Sequence, residues 1–307
     1  MAANRNRKGL KDMGVDLSKR SYLGRAVLGG IVAIICGVTS VAASAQSVPQ
    51  GGVLDKLRKA GVVKIALVNA PPYGTMSPDG TVGGLGPTVV KTIMARLGVP
   101  KVEGVISTYG ELIPGLMAGR WDIIGATMTI TPARCQQVTF SDPEFIEGLG
   151  FAYVPADVPS PPKSIKEIGE KLDQIGVKSG SNELAVMQAS AAAGRKGTVS
   201  QFPDNAAMLE GLQSKRVQLV VGGVMVLRAE RDRRNNGFEV IYPMPDDILR
   251  GQSGAFRPGD KDLIDAYQAE LRKMKASGEL AKMVTSFGFD VLPGAMEMTN
   301  EQACKIQ

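Results

Sequence analysis

The stretch WDIIGATMTITPARCQQVTFSDPEF, residues 121–145, carries a strand into a helix start and sets an arginine at the junction. Residues 122–130 alternate apolar and small polar side chains, which predicts a strand. Thr131 and Pro132 then stand where an N-cap and a first helical position belong, so Arg134 falls at about the third helical position. A guanidinium there lies beside backbone N–H groups that have no acceptor inside the helix. Both favour an anion, most readily a carboxylate held by two parallel hydrogen bonds. The spacing alone equally allows Arg134 to pair with a neighbouring acid.

Outward from this junction the chain reads as short strands alternating with helices. Residues 62–69 predict a buried strand, and residues 87–97 a helix with Val90, Ile93, Met94 and Leu97 on one face, ended by Gly98. Residues 101–107 predict a second strand. Thr108-Tyr109-Gly110-Glu111 has the form of a capping box, which puts Tyr109 at the first position of the next helix. Further strands are expected at 150–155, 175–178, 218–222 and 239–242, with a helix running from the turn at 179–183 through residue 193. Residues 260–277 form an amphipathic pattern with Leu263, Ile264, Tyr267, Leu271 and Met274 inward. This alternation makes the chain α/β.

The first 45 residues hold 7 of the 36 Lys and Arg and 2 of the 30 Asp and Glu. An apolar run over 26–41 and the small residues Ala43-Ser44-Ala45 complete the pattern of a secretory leader cut before Gln46. The run is broken by glycine and shorter than the roughly 20 apolar residues of a membrane span. Ser18-Lys19-Arg20-Ser21-Tyr22-Leu23 is similar to a twin-arginine export signal with lysine in the first basic place. Without the leader the chain carries 29 basic against 28 acidic residues, which removes the clustered positive surface that nucleic-acid binding needs. Histidine is absent from the sequence, so Ser-His and Cys-His nucleophile pairs and the commonest zinc ligand are absent with it. Two cysteines remain after the leader, Cys135 and Cys304, and an even count in an oxidising compartment favours a disulfide over a metal site. No metal and no cofactor is expected.

The T-x-T-x-x-R core formed by Thr129, Thr131 and Arg134, with F-S-D-P at 140–143, resembles the signature of the polar-amino-acid family of bacterial extracytoplasmic solute-binding proteins, the receptors of ABC importers. The likeness extends over L-R-K-A-G-V-V-K-I-A at 57–66, Y-G-E-L-I-P-G-L-M-A-G-R-W-D at 109–122, V-K-S-G-S at 177–181 and the closing helices over 260–289. Within that family the chain is most similar to the ectoine/hydroxyectoine-binding proteins, which share N-x-P-P-aromatic (69–73), P-x-R-C (132–135) and a cysteine near the C-terminus. The resemblance implies a type II periplasmic-binding-protein-like fold of two lobes, with two crossing segments near 144–148 and 250–254 and a ligand cleft between the lobes. Lobe one would be residues 46–146 plus 252–307 and lobe two residues 147–251, after a signal peptide over 1–45. It further implies a monomeric periplasmic receptor that passes a small zwitterion, an amino acid or an ectoine-like compatible solute, to ABC permease subunits.

Carried onto matching positions, the resemblance makes Arg134 the carboxylate anchor, assisted by Thr129, with the Thr127 carbonyl facing the ligand's cation. Ser181, Asn182 and nearby backbone N–H groups would meet the carboxylate from lobe two, although Ser179 to Asn182 alone would read as ordinary helix capping. Cys135 and Cys304 match the cysteine pair of the ectoine-type relatives and would bridge. Two departures stand out. Where α-amino-acid binders place an aspartate after the lobe-two strand, this chain has Gly223, and the acid that precedes Pro-Pro in the ectoine proteins is Ala70. Tyr73 and Tyr109 match two rings of the ectoine proteins' aromatic box, while its third ring is Thr129 here, so the two tyrosines are expected to hold the cation by cation–π attraction. A rival reading on the same fold is a periplasmic dehydratase of the prephenate or arogenate type, whose proton donor would be Glu144 or Glu183. A sensor subunit is a third, disfavoured by the lack of a fused transmembrane or kinase segment after residue 289.

Overall fold

Thirteen strands sort into two sheets and a small hairpin among the residues described by the computed structural model, which are 51–306 except 193, 195, 196, 235 and 236. The expected leader lies outside the described residues. The strands are β1 (Val62–Leu67), β2 (Thr75–Met76), β3 (Val82–Gly83), β4 (Lys101–Ile106), β5 (Ile123–Thr129), β6 (Thr139–Phe140), β7 (Phe145–Glu147), β8 (Leu149–Tyr153), β9 (Gln174–Lys178), β10 (Thr198–Phe202), β11 (Leu219–Gly223), β12 (Glu239–Ile241) and β13 (Arg250–Phe256). The first sheet has the order β4-β1-β5-β13-β6, with β7 also paired to β13, and the second has the order β10-β9-β11-β8-β12. β1 runs parallel to β4 and β5, whereas β13 is antiparallel to β5, β6 and β7. In the second sheet β9, β10 and β11 are parallel and β8 and β12 antiparallel. The chain leaves the first sheet between Glu147 and Leu149 and returns between Ile241 and Arg250.

Each sheet is covered on both faces, which explains why the inner strands β1, β5, β8 and β11 read as nearly continuous apolar runs. On one face of the first sheet Val63, Ile65, Leu67 and Ile123 meet Val89, Val90, Ile93 and Met94 of the helix Leu85–Arg96 and Leu263, Tyr267 and Leu271 of the helix Lys261–Ala276. On the other, Ala66, Ile124, Ala126 and Met128 meet Leu112 and Leu116 of the helix Tyr109–Met117. β5 is therefore buried over six of its seven residues. Its small residues serve close packing: a Cβ on Gly86 would sit 2.6 Å from the Gly125 carbonyl oxygen. The second sheet has the same two-faced core, with Phe151, Ile175, Val177 and Val221 on one side and Ala152, Phe202, Met208 and Val220 on the other.

The expected capping box is replaced by a simpler start. Thr108 is the extended N-cap and Tyr109 the first helical residue, but the Thr108 side chain makes no capping bond and Glu111 pairs instead with Arg120 at 2.7 Å. Among the described residues no helix is long and apolar enough to cross a membrane, and no group of three or more His, Cys, Asp or Glu stands ready for a metal ion.

Candidate functional site

β5 ends in an irregularity. Thr127 has φ 46°, a left-handed conformation that β-branched residues rarely adopt, and the β5–β13 register slips between Ser253 and Ala255. Such bulges re-aim neighbouring side chains. The Thr127 hydroxyl donates to the Ala126 carbonyl at 2.7 Å, and the Thr129 hydroxyl donates to Gln252 Oε1 at 3.0 Å. Thr131 caps the helix Pro132–Cys135, its hydroxyl accepting the Arg134 backbone N–H at 3.3 Å. That helix is a single turn, so its dipole is small and attraction for an anion rests on the Arg134 guanidinium.

The guanidinium is pinned from both sheets. Nη1 donates to the Thr129 carbonyl at 2.8 Å, and Nη2 to the Gly180 carbonyl at 3.2 Å, just beyond β9. Gly180 has φ +69°, and a Cβ there would lie 2.7 Å from the Gly110 nitrogen, so the close approach of the two halves requires glycine at this point. Desolvation lowers the Arg134 pKa, opposed by Glu183 and Tyr109.

A cavity of about 20 Å³, room for roughly one water, lies between the sheets against Arg134. Tyr73, Tyr109, Thr127, Thr129, Asn182 and Gly223 line it with Arg134, and an adjoining cavity of similar size shares Thr129, Asn182 and Gly223. Ser181 is placed differently. Its buried hydroxyl donates to the Lys178 carbonyl at 2.9 Å and accepts the Leu184 N–H at 3.3 Å, the capping arrangement of the helix Asn182–Ala192.

Four further polar side chains reach the cavity that sequence reasoning did not assign to the ligand: Glu147, Lys178, Gln252 and, considered only as a catalytic acid, Glu183. Lys178 ends β9, is 4% exposed, and has no hydrogen-bond acceptor for its Nζ among the described residues. Its Nζ lies 4.5 Å from the centroid of the Tyr109 ring. The position at the carboxyl end of a central parallel strand was a usable signal, because open α/β sheets present ligand groups there. Tyr73 packs edge-on against Phe289, with centroids 4.9 Å apart, and its hydroxyl donates to Glu147 Oε2 at 2.8 Å.

The match to known proteins follows this geometry. Residues 63–291 match the model of the bacterial extracellular solute-binding proteins, family 3. The chain belongs to that family. A probable amino-acid ABC transporter periplasmic-binding protein of Sinorhizobium fredii is 24% identical over 286 residues, 90% of this chain and 93% of the relative. Among solved structures, EhuB in complex with hydroxyectoine is 33% identical with a TM-score of 0.75, covering 83% of this chain and 98% of that one. An ancestral arginine-binding protein bound to arginine is 29% identical with a TM-score of 0.63, covering 74% of this chain and 98% of that one.

Of the two acids considered for catalysis, Glu183 lines the two cavities between the sheets and Glu144 lines neither. Glu144 is 1% exposed inside the first sheet's core, near Gly254 and Tyr267, with Oε2 lacking a hydrogen-bond partner among the described residues. Burial pushes its carboxyl from 4.5 up to about 8, against the opposing pull of the Gly254 N–H and Lys275. The folded chain therefore holds a proton there that the unfolded chain has lost above about 4.5. Stability contributed this way falls as pH rises from about 4.5 to about 8. Ligand-free protein is expected to melt lower at pH 8 than at pH 5.5, by about 1–3 kcal/mol of stability. Glu144→Gln should remove part of that slope in melts followed by circular dichroism, the rest belonging to Glu147, which burial raises in the same way, and a wild-type melting temperature that climbs over the same range contradicts the assignment.

Proposed function

We propose that the protein is the receptor of an ABC importer, working as a periplasmic monomer that captures a small zwitterion between its sheets and presents it to the membrane permease. The observation that carries this reading is the mixed polarity of one cavity, lined by two cations, Arg134 and Lys178, and by two acids, Glu147 and Glu183. A solute with both a carboxylate and a cation satisfies both ends. The relatives named above support the class of solute, since one is bound to hydroxyectoine and another to arginine.

Sheet membership supports two lobes with bounds shifted slightly from lobe one, residues 46–146 plus 252–307, and lobe two, residues 147–251: Glu147 pairs with Arg250 and Ile146 with Gly251 in the first sheet, so the crossings fall at Gly148 and over residues 242–249 rather than 250–254. A cavity of about 20 Å³ is too small to admit an amino acid as it stands, so entry requires the lobes to part about those crossings. Arg134 and Lys178 approach from opposite lobes. A carboxylate between them favours the closed form, which is the state a permease can distinguish from the open one.

The reading is tested by denaturing protein purified from its native periplasm and identifying the released small molecules by mass spectrometry. A zwitterion bound one to one is expected. Lys178→Met should weaken its binding about tenfold in calorimetry while leaving the fold intact, because the ammonium is the cation delivered by lobe two. A dehydratase remains the second reading because an acid that keeps its proton lies in the cleft: Glu147 is pushed from 4.5 up to about 8. Incubation with prephenate separates the two, since an enzyme consumes it and a receptor returns its ligand unchanged.

A further inference from the structure

A zwitterion needs a partner for its cation, and neither of the two positions where related receptors carry an acid can supply one here. Ala70 is 2% exposed in the turn before Tyr73, its N–H bonded to the Gly74 carbonyl at 2.8 Å. Gly223 is barred sterically: a Cβ at that position would lie 2.9 Å from the Tyr73 hydroxyl and 3.2 Å from its Cζ. Any side chain there, an aspartate included, would collide with the phenol.

The same phenol leads to the replacement. Tyr73 Oη accepts the Met225 N–H at 3.3 Å and donates to Glu147 Oε2 at 2.8 Å. Glu147 ends β7, the last residue but one before the chain enters the second sheet, and it lines both cavities between the sheets. Its other oxygen, Oε1, accepts no hydrogen bond among the described residues. The missing acid at 223 and the acid at 147 are thus one exchange. The tyrosine occupies the space of a side chain at 223, and the carboxylate that steadies the tyrosine is the one that faces the ligand.

Resting on the zwitterion reading, we propose that Glu147 receives the ligand's cation and releases a proton to solvent as it does so. The balance is simple: a neutral carboxylic acid and a cationic solute become a carboxylate paired with that cation, plus one proton taken up by the buffer. Geometry supplies the acid, and its surroundings keep it protonated in the ligand-free cleft. Desolvation is the largest cause; Glu183 on the helix after β9 and Asp247 before β13 add to it, while the Tyr73 hydroxyl and Lys178 oppose it. Tyr242 faces the same group, Arg250 is its ladder partner on β13, and Arg228 shares a third small cavity with it. A bound cation reverses the balance by favouring the charged form. The ligand class follows: a zwitterion whose cation is permanent or titrates well above neutrality, such as an amidinium, guanidinium or ammonium, with neutral isosteres rejected.

The test is calorimetry of the leaderless protein with hydroxyectoine and L-arginine as probes, at pH 6, 7 and 8, in phosphate and in Tris. About one proton should be released per ligand bound at pH 7, and affinity should rise about ninefold from pH 6 to 7 and about fivefold from pH 7 to 8, because one proton is lost on binding by a group that titrates at about 8. E147Q should bind with no proton release, a flat pH profile and at least tenfold weaker affinity at pH 8. The wild-type proton count needs no variant, so it stands even where E147Q folds poorly. Binding of either probe without proton release, or an unchanged pH profile in E147Q, overturns the role of Glu147 and leaves the receptor reading intact. Failure of both probes to bind, with a zwitterion nonetheless released from native protein, overturns the stated ligand class; release of no zwitterion overturns the reading on which the inference rests.

Discussion

Arg134→Ala is expected to weaken ligand binding by about 2–5 kcal/mol, a loss of roughly 30-fold to several thousandfold. Two effects add. The variant loses a charge-assisted contact, and it leaves the ligand's carboxylate in a cavity from which water has been largely excluded. The guanidinium is already oriented, since Nη1 and Nη2 are held by the Thr129 and Gly180 carbonyls, and its remaining N–H groups have no protein acceptor among the described residues. Little side-chain entropy is then lost on binding. Because one of those carbonyls ends β5 and the other follows β9, the variant also cuts a bond that spans the two sheets. Arg134→Lys should rescue poorly: a single ammonium cannot reach two carbonyls and grip a carboxylate in one plane. Calorimetry with the ligand identified from native protein decides the matter. Affinity for Arg134→Ala within threefold of wild type would mean that the carboxylate is held elsewhere.

The architecture was legible because burial leaves a strong local trace. β1, β5 and β9 are short, largely buried runs bounded by turns, and Thr131-Pro132 marks a helix start by its own chemistry, with the cap bond to the Arg134 N–H following from residue type and position. Tyr109 was placed correctly at a helix start, while the reciprocal bonds of a capping box were not formed; rotamer choice at Glu111, drawn away to Arg120, decides that, and sequence spacing does not encode it. The polar lining of the cleft was less accessible for a plain reason. Glu147 meets Tyr73 across 74 residues of sequence, and Lys178 meets Tyr109 only when the two sheets face one another. A lysine at a strand end and a glutamate in a connecting segment ordinarily read as solvated. Gly223 was informative in the opposite sense: the missing side chain was visible in the sequence, but the phenol that excludes it was not.

Loss of the bridge between Cys135 and Cys304 should be the most damaging change to stability. The two cysteines are bonded in the structure, with Cα atoms 6.0 Å apart and a sequence separation of 169. Closing a loop of that length confines the unfolded chain by roughly 5 kcal/mol in the chain-entropy estimate, an upper figure because unfolded chains keep residual structure. The C-terminal segment has other ties, which reduce the effect further. The Asn300 N–H donates to Asp142 Oδ1 at 2.9 Å, Asn300 Nδ2 donates to the Phe140 carbonyl at 2.9 Å, and Lys275 Nζ donates to the Met298 carbonyl at 3.1 Å. A loss of about 2–4 kcal/mol is therefore expected for the double variant Cys135→Ser, Cys304→Ser, or about 5–15 °C in melting temperature. Function should follow at one remove. A four-residue helix cannot hold its own shape, and Cys135 is the residue next to Arg134, so the bridge fixes the turn that carries the anchor. Ligand affinity should accordingly fall in the double variant, but by less than in Arg134→Ala, because the Thr131 cap and the bonds to Thr129 and Gly180 survive. Melting curves and calorimetry on the same preparations separate the two contributions, and thiol counting on denatured, unreduced, leaderless wild-type protein should find no free cysteine. A double variant that melts with the wild type would show that the hydrogen bonds at Asn300 and Lys275 hold the C-terminal segment without the bridge.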